Sequence, residues 1–260
     1  MDPSYLLVKL GGELIEDSQQ IELIASGIRK KQQAGYGVIL VHGAGAQIKT
    51  WCERLGVPVL KKYGRRVTDR ETMDIMQAVV AGVVNPKLIS GLRTAGVNAL
   101  GLTGVDAGIT TSIKRKPLTY GDETVDYGLI GEIENVDVNI LKLLIANNIT
   151  PAIACLTWSE SEGILNINAD TLARKIAAAL TDSELVLLSS VDGVFDQHNQ
   201  ALENLGRQEW QNGVKDGWIT TGMQPKLENG FAALDEGAQS VRITNPAGWN
   251  DGLGTTLSKT

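Results

Sequence analysis

Residues 5–12 read Tyr5-Leu6-Leu7-Val8-Lys9-Leu10-Gly11-Gly12, and residues 37–45 read Gly37-Val38-Ile39-Leu40-Val41-His42-Gly43-Ala44-Gly45. Each is a short apolar run that stops at glycine, and the first carries a lysine at its end. Runs of this length and composition fit strands of a parallel sheet buried on both faces. Glycine at a strand end lets the backbone bring its N–H groups close to an anion, and the dipole of a following helix adds positive charge. Together the two turns read as a phosphate cradle made by Gly11, Gly12, Gly43, Ala44 and Gly45, with a nucleotide phosphate as cargo. Either turn alone also fits a tight strand-to-helix connection that binds nothing.

Outward from these turns, the 260-residue chain alternates β-rich apolar runs with helical patterns. That alternation predicts a three-layer αβα sandwich around a mainly parallel central sheet. Ser18 is the expected cap of a helix to about residue 33, with Ile21, Ile24 and Ile28 on one face. A helix over 46–55 should stop at Gly56, and 59–67 reads as a hairpin. Thr68 or Asp69 should cap a long helix beginning near Glu71, which Pro86 should kink or end. Residues 97–102 read as a strand, 109–130 as hairpins standing off the main sheet, 139–146 as a helix and 150–155 as a strand.

In the second half, a polar turn over 159–163 leads to a short strand ending in Asn166-Ile167-Asn168-Ala169-Asp170. A helix over 171–180 feeds the apolar strand 185–188. Val191-Asp192-Gly193-Val194 follows at its carboxyl end, where open α/β sheets place their ligands. A helix over 223–235 and a strand over 240–244 come next. No repeat, low-complexity stretch or linker interrupts the chain, so residues 1–260 read as one domain of two lobes, 1–160 and 161–260, with a cleft near 157–165.

Composition narrows the classes of partner. With 43% hydrophobic and 21% charged residues the chain can bury a large core. Its net charge of −6 argues against nucleic acid, which needs concentrated Lys and Arg. The two cysteines, Cys52 and Cys155, and the two histidines, His42 and His198, have no metal-ligand spacing, so no residue is assigned to a metal. Both thiols are expected to be buried and reduced. No apolar run approaches the ~18 residues of a membrane span, and Lys9 interrupts the stretch where a signal peptide would lie. The cytoplasm is the expected compartment.

Several motifs are missing. There is no G-x-x-x-x-G-K-[ST], and Gly43-Ala44-Gly45 has Ile48 where a dinucleotide fingerprint needs its third glycine. No G-x-S-x-G elbow occurs, and neither histidine carries a signature of a catalytic base. Phosphoryl transfer asks mainly for positioning and positive charge, which lysines and backbone amides can supply.

Eight segments occur together in order: Val8-Lys9-Leu10-Gly11-Gly12; the His42 glycine turn; Gly64-Arg65-Arg66-Val67-Thr68; Gly82 to Asn85; Asn166-Ile167-Asn168-Ala169-Asp170; Val191-Asp192-Gly193-Val194; Gly222-Met223 with Lys226; and Gly254-Thr255. Through them the chain resembles the amino acid kinase superfamily, and within it the N-acetylglutamate kinase family of arginine biosynthesis. The resemblance implies an acyl amino acid in the amino-terminal lobe and ATP in the carboxyl-terminal lobe, with magnesium held mainly by the nucleotide phosphates. It also implies transfer of the γ-phosphoryl group to the acceptor's side-chain carboxylate. Lys9 and Lys226 would neutralise the transferring phosphoryl and the leaving ADP, and Asp170 would keep the two ammonium groups in register.

The same resemblance assigns Ala44, Gly45, Arg66, Asn166 and Asn168 to the acceptor. Ser189, Asp192, Gly193, Val194, Gly222 and Met223 go to the nucleotide. Physical chemistry agrees where it speaks: a carboxylate between two lysines offsets their repulsion, and an arginine fork suits an α-carboxylate. Plainer readings stand beside these. Asn168 and Asp170 also fit a helix N-cap and first turn, Arg66 a solvated hairpin charge, and Asp192 a turn before Gly193.

The family usually has three consecutive glycines after the histidine, and Ala44 replaces the middle one. If that position needs a positive φ, the methyl costs on the order of 1 kcal/mol. Trp158 is expected in the core, although an aromatic there could also narrow the acceptor pocket. Other members of the superfamily phosphorylate UMP, free glutamate, aspartate or carbamate, and a further relative acts on carrier-linked aminoadipate. N-succinylglutamate is a second candidate acceptor, since Lys61, Lys62 and Arg65 lie in the hairpin expected to cover the pocket. A sensor that keeps the fold without catalysis is the rival class, disfavoured by Lys9, Asp170 and Lys226 occurring together. By resemblance the chain should form a homodimer through the long helix after Asp69. Only eight residues precede Lys9, which leads to the expectation of no arginine inhibition, because arginine-inhibited relatives resemble hexamers joined by an extra helix there.

Overall fold

The computed structural model describes residues 4–180, 182–220 and 222–259. Its frame is an eight-stranded sheet in the order Asn204–Gly206, Thr255–Ser258, Ser240–Thr244, Ser183–Leu188, Tyr5–Leu10, Gly37–His42, Thr150–Ala154 and Ala99–Thr103. The last six of these strands run parallel, whereas Thr255–Ser258 is antiparallel to Ser240–Thr244. Strands Tyr5–Leu10, Gly37–His42 and Thr150–Ala154 are buried at every residue, because helices cover both faces. The expected αβα sandwich is therefore the observed architecture. A single sheet joins the two halves of the chain, since Tyr5–Leu10 pairs with Gly37–His42 on one side and Ser183–Leu188 on the other.

Helix Ser18–Gln33 buries Ile21, Ile24, Ala25 and Ile28, the apolar stripe seen in its sequence. Its cap is Asp17 rather than Ser18: the Asp17 carboxylate accepts the Gln19 N–H at 2.8 Å. A carboxylate one residue earlier offers the same oxygen acceptor plus a favourable charge at the dipole. Gly45–Leu55 ends at Gly56 with φ +73°, as glycine permits.

Pro86 neither ends the long helix nor forces a break. Helix Arg70–Val79 passes through a π turn at Val80–Val84 into helix Asn85–Thr94, and the Asn85 N–H reaches back to the Val80 carbonyl. Widening the helix by one residue accommodates a proline that has no N–H to give. Asp69 caps this rod through the Thr72 N–H at 2.8 Å. Residues 70–94 are long and apolar enough to cross a membrane by length and composition. Their apolar side chains Met73, Met76, Val80, Val84, Leu88 and Leu92 are instead buried in the core.

A second, four-stranded sheet stands off the first, in the order Gly163–Asn166, Leu156–Ser159, Thr110–Lys114 and Gly131–Val136. Trp158 corrects an expectation here: it is 41% exposed, while Thr157 and Ser159 are buried. Alternation along a strand turns only every second side chain inward, and the hydroxyls of Thr110, Ser112 and Thr157 bond one another on the inner face. Two small hairpins, Lys61–Lys62 with Arg65–Arg66 and Leu118–Tyr120 with Glu123–Val125, complete the β structure. Helices Arg207–Asp216 and Pro246–Asp251 were not anticipated; the first has little apolar content and the second is six residues long.

Gly27 shows how closely the layers meet. A Cβ there would stand 2.4 Å from the Trp249 ring of helix Pro246–Asp251. Gly27→Ala should therefore lower stability by about 1–3 kcal/mol despite alanine's better helix propensity, because the indole must move. Urea denaturation reads this, and an unchanged or raised midpoint would disprove the contact's importance.

Candidate active site

The parallel register brings four strand ends to one edge. Leu10 pairs with His42 and with Leu188, and Leu188 pairs with Thr244. The segments that continue from them, Gly11-Gly12, Gly43-Ala44-Gly45, Ser189 and Asn245, therefore lie in a row at the carboxyl edge, the ligand edge of open α/β sheets. The Gly11 N–H bonds the Leu188 carbonyl at 3.2 Å, and the Ser189 N–H bonds the Thr244 carbonyl at 3.0 Å.

The two glycine turns touch. A Cβ on Gly12 would meet the Ala44 Cα and the Gly43 carbonyl oxygen, each at 3.4 Å. Gln47 fastens the first turn, its Nε2 donating to the Gly12 carbonyl and to Glu16, each at 2.8 Å. Sequence reading missed Gln47; its signal was a polar side chain beside Ile48 on the buried face of the helix. Ala44 has φ −147°, so its methyl brings no left-handed strain, and its N-cap position has no side-chain cap. The first amides of helix Gly45–Leu55 have no intrahelical acceptors, which suits an anion.

Lys9 and Asp170 meet across the layers. Lys9 Nζ lies 2.9 Å from Asp170 Oδ1, and both side chains are about nine-tenths buried. That oxygen lacks hydrogen-bond geometry toward any partner, so the contact is Coulombic and off-line. Asp170 is held by its helix, whose cap Asn168 accepts the Asp170 and Thr171 N–H groups at 2.8 and 3.1 Å. The Asn168 side chain is thus engaged as a cap.

Lys226 lies in the first turn of helix Gln224–Asp235, half-buried and without a side-chain partner among the described residues. That helix packs on the Asp170 helix, and Thr171 donates to Asn229 at 3.3 Å one turn beyond Lys226. Gly222 is exposed and the Met223 carbonyl accepts the Lys226 N–H at 3.0 Å.

The hairpin residue Arg66 reaches over the second turn, its Nη2 donating to the Gly45 carbonyl at 3.2 Å. Its Nη1 is buried without a partner, and burial lowers the pKa of the guanidinium. A guanidinium with one nitrogen unpartnered, beside a phosphate-type turn, suits a carboxylate. Asn166 donates to Thr68 at 3.1 Å, close along the chain to Arg66.

On the other side of Lys9, the buried Ser189 hydroxyl is also unpartnered. Val194 N–H donates to the Thr255 hydroxyl at 2.8 Å, and a Cβ on Gly193 would stand 2.6 Å from that hydroxyl. Asp192 accepts from Asn245. The structure thus makes one group of Lys9, Asp170, both glycine turns and Arg66, with Ser189, Asp192, Gly193 and Val194 along the same edge.

With this geometry in place, the comparisons with known proteins are direct. The model of the Amino acid kinase family matches residues 4–245. The chain belongs to the amino acid kinase family. It is 40% identical to the acetylglutamate kinase of Sorangium cellulosum, over 92% of this chain and 86% of that one. It is 36% identical to the acetylglutamate kinase of Phocaeicola vulgatus over the whole of both chains. Among solved structures, smu.665 of Streptococcus mutans is 28% identical over 99% of each chain, with a TM-score of 0.81.

Two buried groups beside the site, His42 and Cys155, are held neutral. Burial lowers the pKa of His42 to about 4 and raises that of Cys155 to about 11. A histidine that stays neutral in the native state, but protonates near pH 6.5 when unfolded, favours the unfolded chain as pH falls between those values. Its share of the stability lost from pH 7 to pH 4 should be about 3 kcal/mol, with no further loss from this group below about pH 4. Urea titrations across that range, in the parent and in His42→Gln, measure the share; equal pH dependence in both would refute it.

Proposed function

We propose that this kinase transfers the γ-phosphoryl group of ATP to the side-chain carboxylate of N-acetyl-L-glutamate, giving an acyl phosphate for arginine biosynthesis. The observation that carries the reading is the buried Lys9–Asp170 pair at the meeting point of the two glycine turns. A cation is held there beside free helix-terminal amides, which is what a transferring phosphoryl group requires.

Lys9 would draw charge from the phosphoryl oxygens and Lys226 from the leaving ADP, while Asp170 fixes the ammonium groups against their mutual repulsion. The amides of the Gly11–Gly12 and Gly43–Gly45 turns would cradle the phosphates. Arg66 would take the acceptor's α-carboxylate through its unpartnered Nη1, with Asn166 beside it. Asn168 would act through the helix it caps. Ser189, Asp192, Gly193, Val194, Gly222 and Met223 would surround the nucleotide, so ATP would lie in the lobe 161–260 and the acceptor chiefly in the lobe 1–160, with Asn166 reaching it from the second lobe. Magnesium would enter on the nucleotide phosphates and add positive charge to the transferring group. The donor set suits that arrangement, because the buried carboxylate at this edge, Asp170, is turned to Lys9. Such an enzyme would work in the cytoplasm.

Coupled measurement of ADP release with Mg-ATP and N-acetylglutamate tests the reaction; no release with this acceptor would overturn it. Lys9→Ala, Lys226→Ala and Asp170→Ala should each lower kcat by roughly 10²-fold or more in protein verified as folded. Near-parental turnover would remove that residue from the chemistry. Arg66→Ala should instead raise the KM of the acceptor far more than that of ATP, and equal changes in both would sink its assignment.

A homodimer is proposed through the rod 70–94, whose outer side exposes Ala78, Gly82 and Val83. Self-association of this surface in an isologous pair is consistent with two-fold symmetry. Light scattering should give twice the chain mass, and a monomer at micromolar concentration would contradict the proposal.

A further inference from the structure

We infer that His42 and Asn85 are positioning residues: a buried tether from helix Asn85–Thr94 through the His42 ring to the Gly43 carbonyl, fixing the Gly43–Ala44 peptide within the phosphate turn. The inference rests on the reading of that turn as a phosphate site.

Asn85 is 5% exposed, and its Nδ2 lies 3.1 Å from each of three acceptors: the Leu102 carbonyl, the Ala152 carbonyl and His42 Nε2. Two backbone carbonyls can accept only, so they fix which end of the amide is the NH₂ group. An NH₂ group can only donate, here sharing its two hydrogens among three acceptors, so Nε2 of His42 is the unprotonated nitrogen. A neutral imidazole then carries its proton on Nδ1, which lies 3.3 Å from the Gly43 carbonyl oxygen. The chain of donors runs in one direction, from Asn85 to His42 to Gly43.

The peptide plane converts this into aim. In a planar trans peptide the carbonyl of Gly43 and the N–H of Ala44 point in opposite directions, and the described chain has no cis peptide. Holding the Gly43 oxygen therefore fixes the Ala44 N–H direction. Without the tether, a turn with little side-chain bulk has alternative peptide orientations at small cost.

Two further features serve the tether. A Cβ on Gly101 would stand 1.9 Å from Asn85 Oδ1, so the edge strand Ala99–Thr103 leaves space for this amide. The π turn Val80–Val84 ends directly at Asn85 and sets its place on the rod. The elements packed about His42 carry Lys9 with Asp170, Lys87 with Glu16, Arg93 and Cys155, and the helices Ser18–Gln33, Asn139–Ala146 and Ala169–Ala179 add Glu22, Arg29, Lys30, Lys31, Lys142, Arg174 and Lys175. None of them alters its titration, which burial lowers and the Gly43 carbonyl raises.

The chain has only two histidines, so a long-range ¹H–¹⁵N spectrum of the labelled full-length protein separates them. His42 should show the Nδ1–H tautomer throughout about pH 6 to 8. An Nε2–H tautomer, or protonation of His42 in that range, overturns the tether whether or not any variant folds.

Kinetics supply the second arm. His42→Gln keeps an acceptor for Asn85 but no donor at the Nδ1 position, and should lower kcat about tenfold with the acceptor KM moved less than about threefold. His42→Asn, whose amide can donate to the Gly43 carbonyl, should recover at least about threefold of that loss. A kcat for His42→Gln within about twofold of the parent, or no recovery in His42→Asn, rejects the positioning role. If the parent itself releases no ADP, the kinase reading fails, and the spectrum still decides the tether.

Discussion

A lysine buried at the end of a central strand sets the terms for the rest of the molecule. Tyr5–Leu10 is hydrogen-bonded on both sides and covered on both faces, so Lys9 has little access to water. Moving an ammonium group into such surroundings costs several kcal/mol unless a counter-charge is placed within reach. Asp170 is that counter-charge, and it is delivered by a helix whose own cap, Asn168, holds the first turn in place. Replacing a buried ion pair by apolar side chains is often neutral or stabilising. Stability alone is therefore a weak reason for this pair at the ligand edge of the sheet, and charge placed for a phosphoryl group is a better one.

The parts of this arrangement legible in the sequence are those with strong local signatures. Lys9 at a strand end, the glycine turns and the Asn168–Asp170 cap each state their local geometry in adjacent residues. The parallel sheet follows from apolar runs such as Leu185 to Leu188, which have no polar face to offer to water. Contacts between distant segments were not legible. Nothing adjacent to Arg66 shows that its guanidinium would bond Gly45, and nothing adjacent to Gln47 shows that it would bond Gly12. Trp158 failed for a related reason: its size suggests burial, but the pleat decides which face it takes, and its neighbours Thr157 and Ser159 took the interior with a hydroxyl network. Ala44 was an ambiguity of the same sort, settled by a backbone angle that composition does not encode.

The hairpin that carries Arg66 is built differently from the glycine turns. Arg66 stands on a two-residue strand pair rather than on the central sheet. That hairpin is braced by its neighbour: Tyr63 stacks on Tyr120 at 4.0 Å, Lys62 pairs with Glu123 at 2.5 Å, and Tyr127 donates to the Lys62 carbonyl at 3.1 Å. Most of these contacts are exposed and individually weak, with exposed ion pairs typically contributing about 0–1 kcal/mol. Burial of Tyr127 is the firmest element, and it raises the phenol's pKa to about 12, which keeps the hydroxyl a donor. Arg66 thus sits on a hairpin held largely by exposed contacts, while the glycine turns follow strands buried at every residue.

That difference in anchorage bears on how one site could both admit substrates and organise a transition state. Preorganised charge is most effective where it does not move during the reaction, and here those groups are Lys9, Asp170 and the amides that follow the central strands. Admission of a charged acceptor requires a path, and the half-buried Arg66, unpaired at one nitrogen, would lie on it, carried by a two-residue strand pair outside the central sheet. Binding a carboxylate there would satisfy the orphaned Nη1 and add contacts that hold the hairpin down. Closure would then exclude water from the Lys9–Asp170 pair and strengthen each electrostatic interaction inside it. In this way the binding energy of a group remote from the chemistry would be converted into a drier, better ordered phosphoryl site, which is the physical content of using substrate binding to raise turnover.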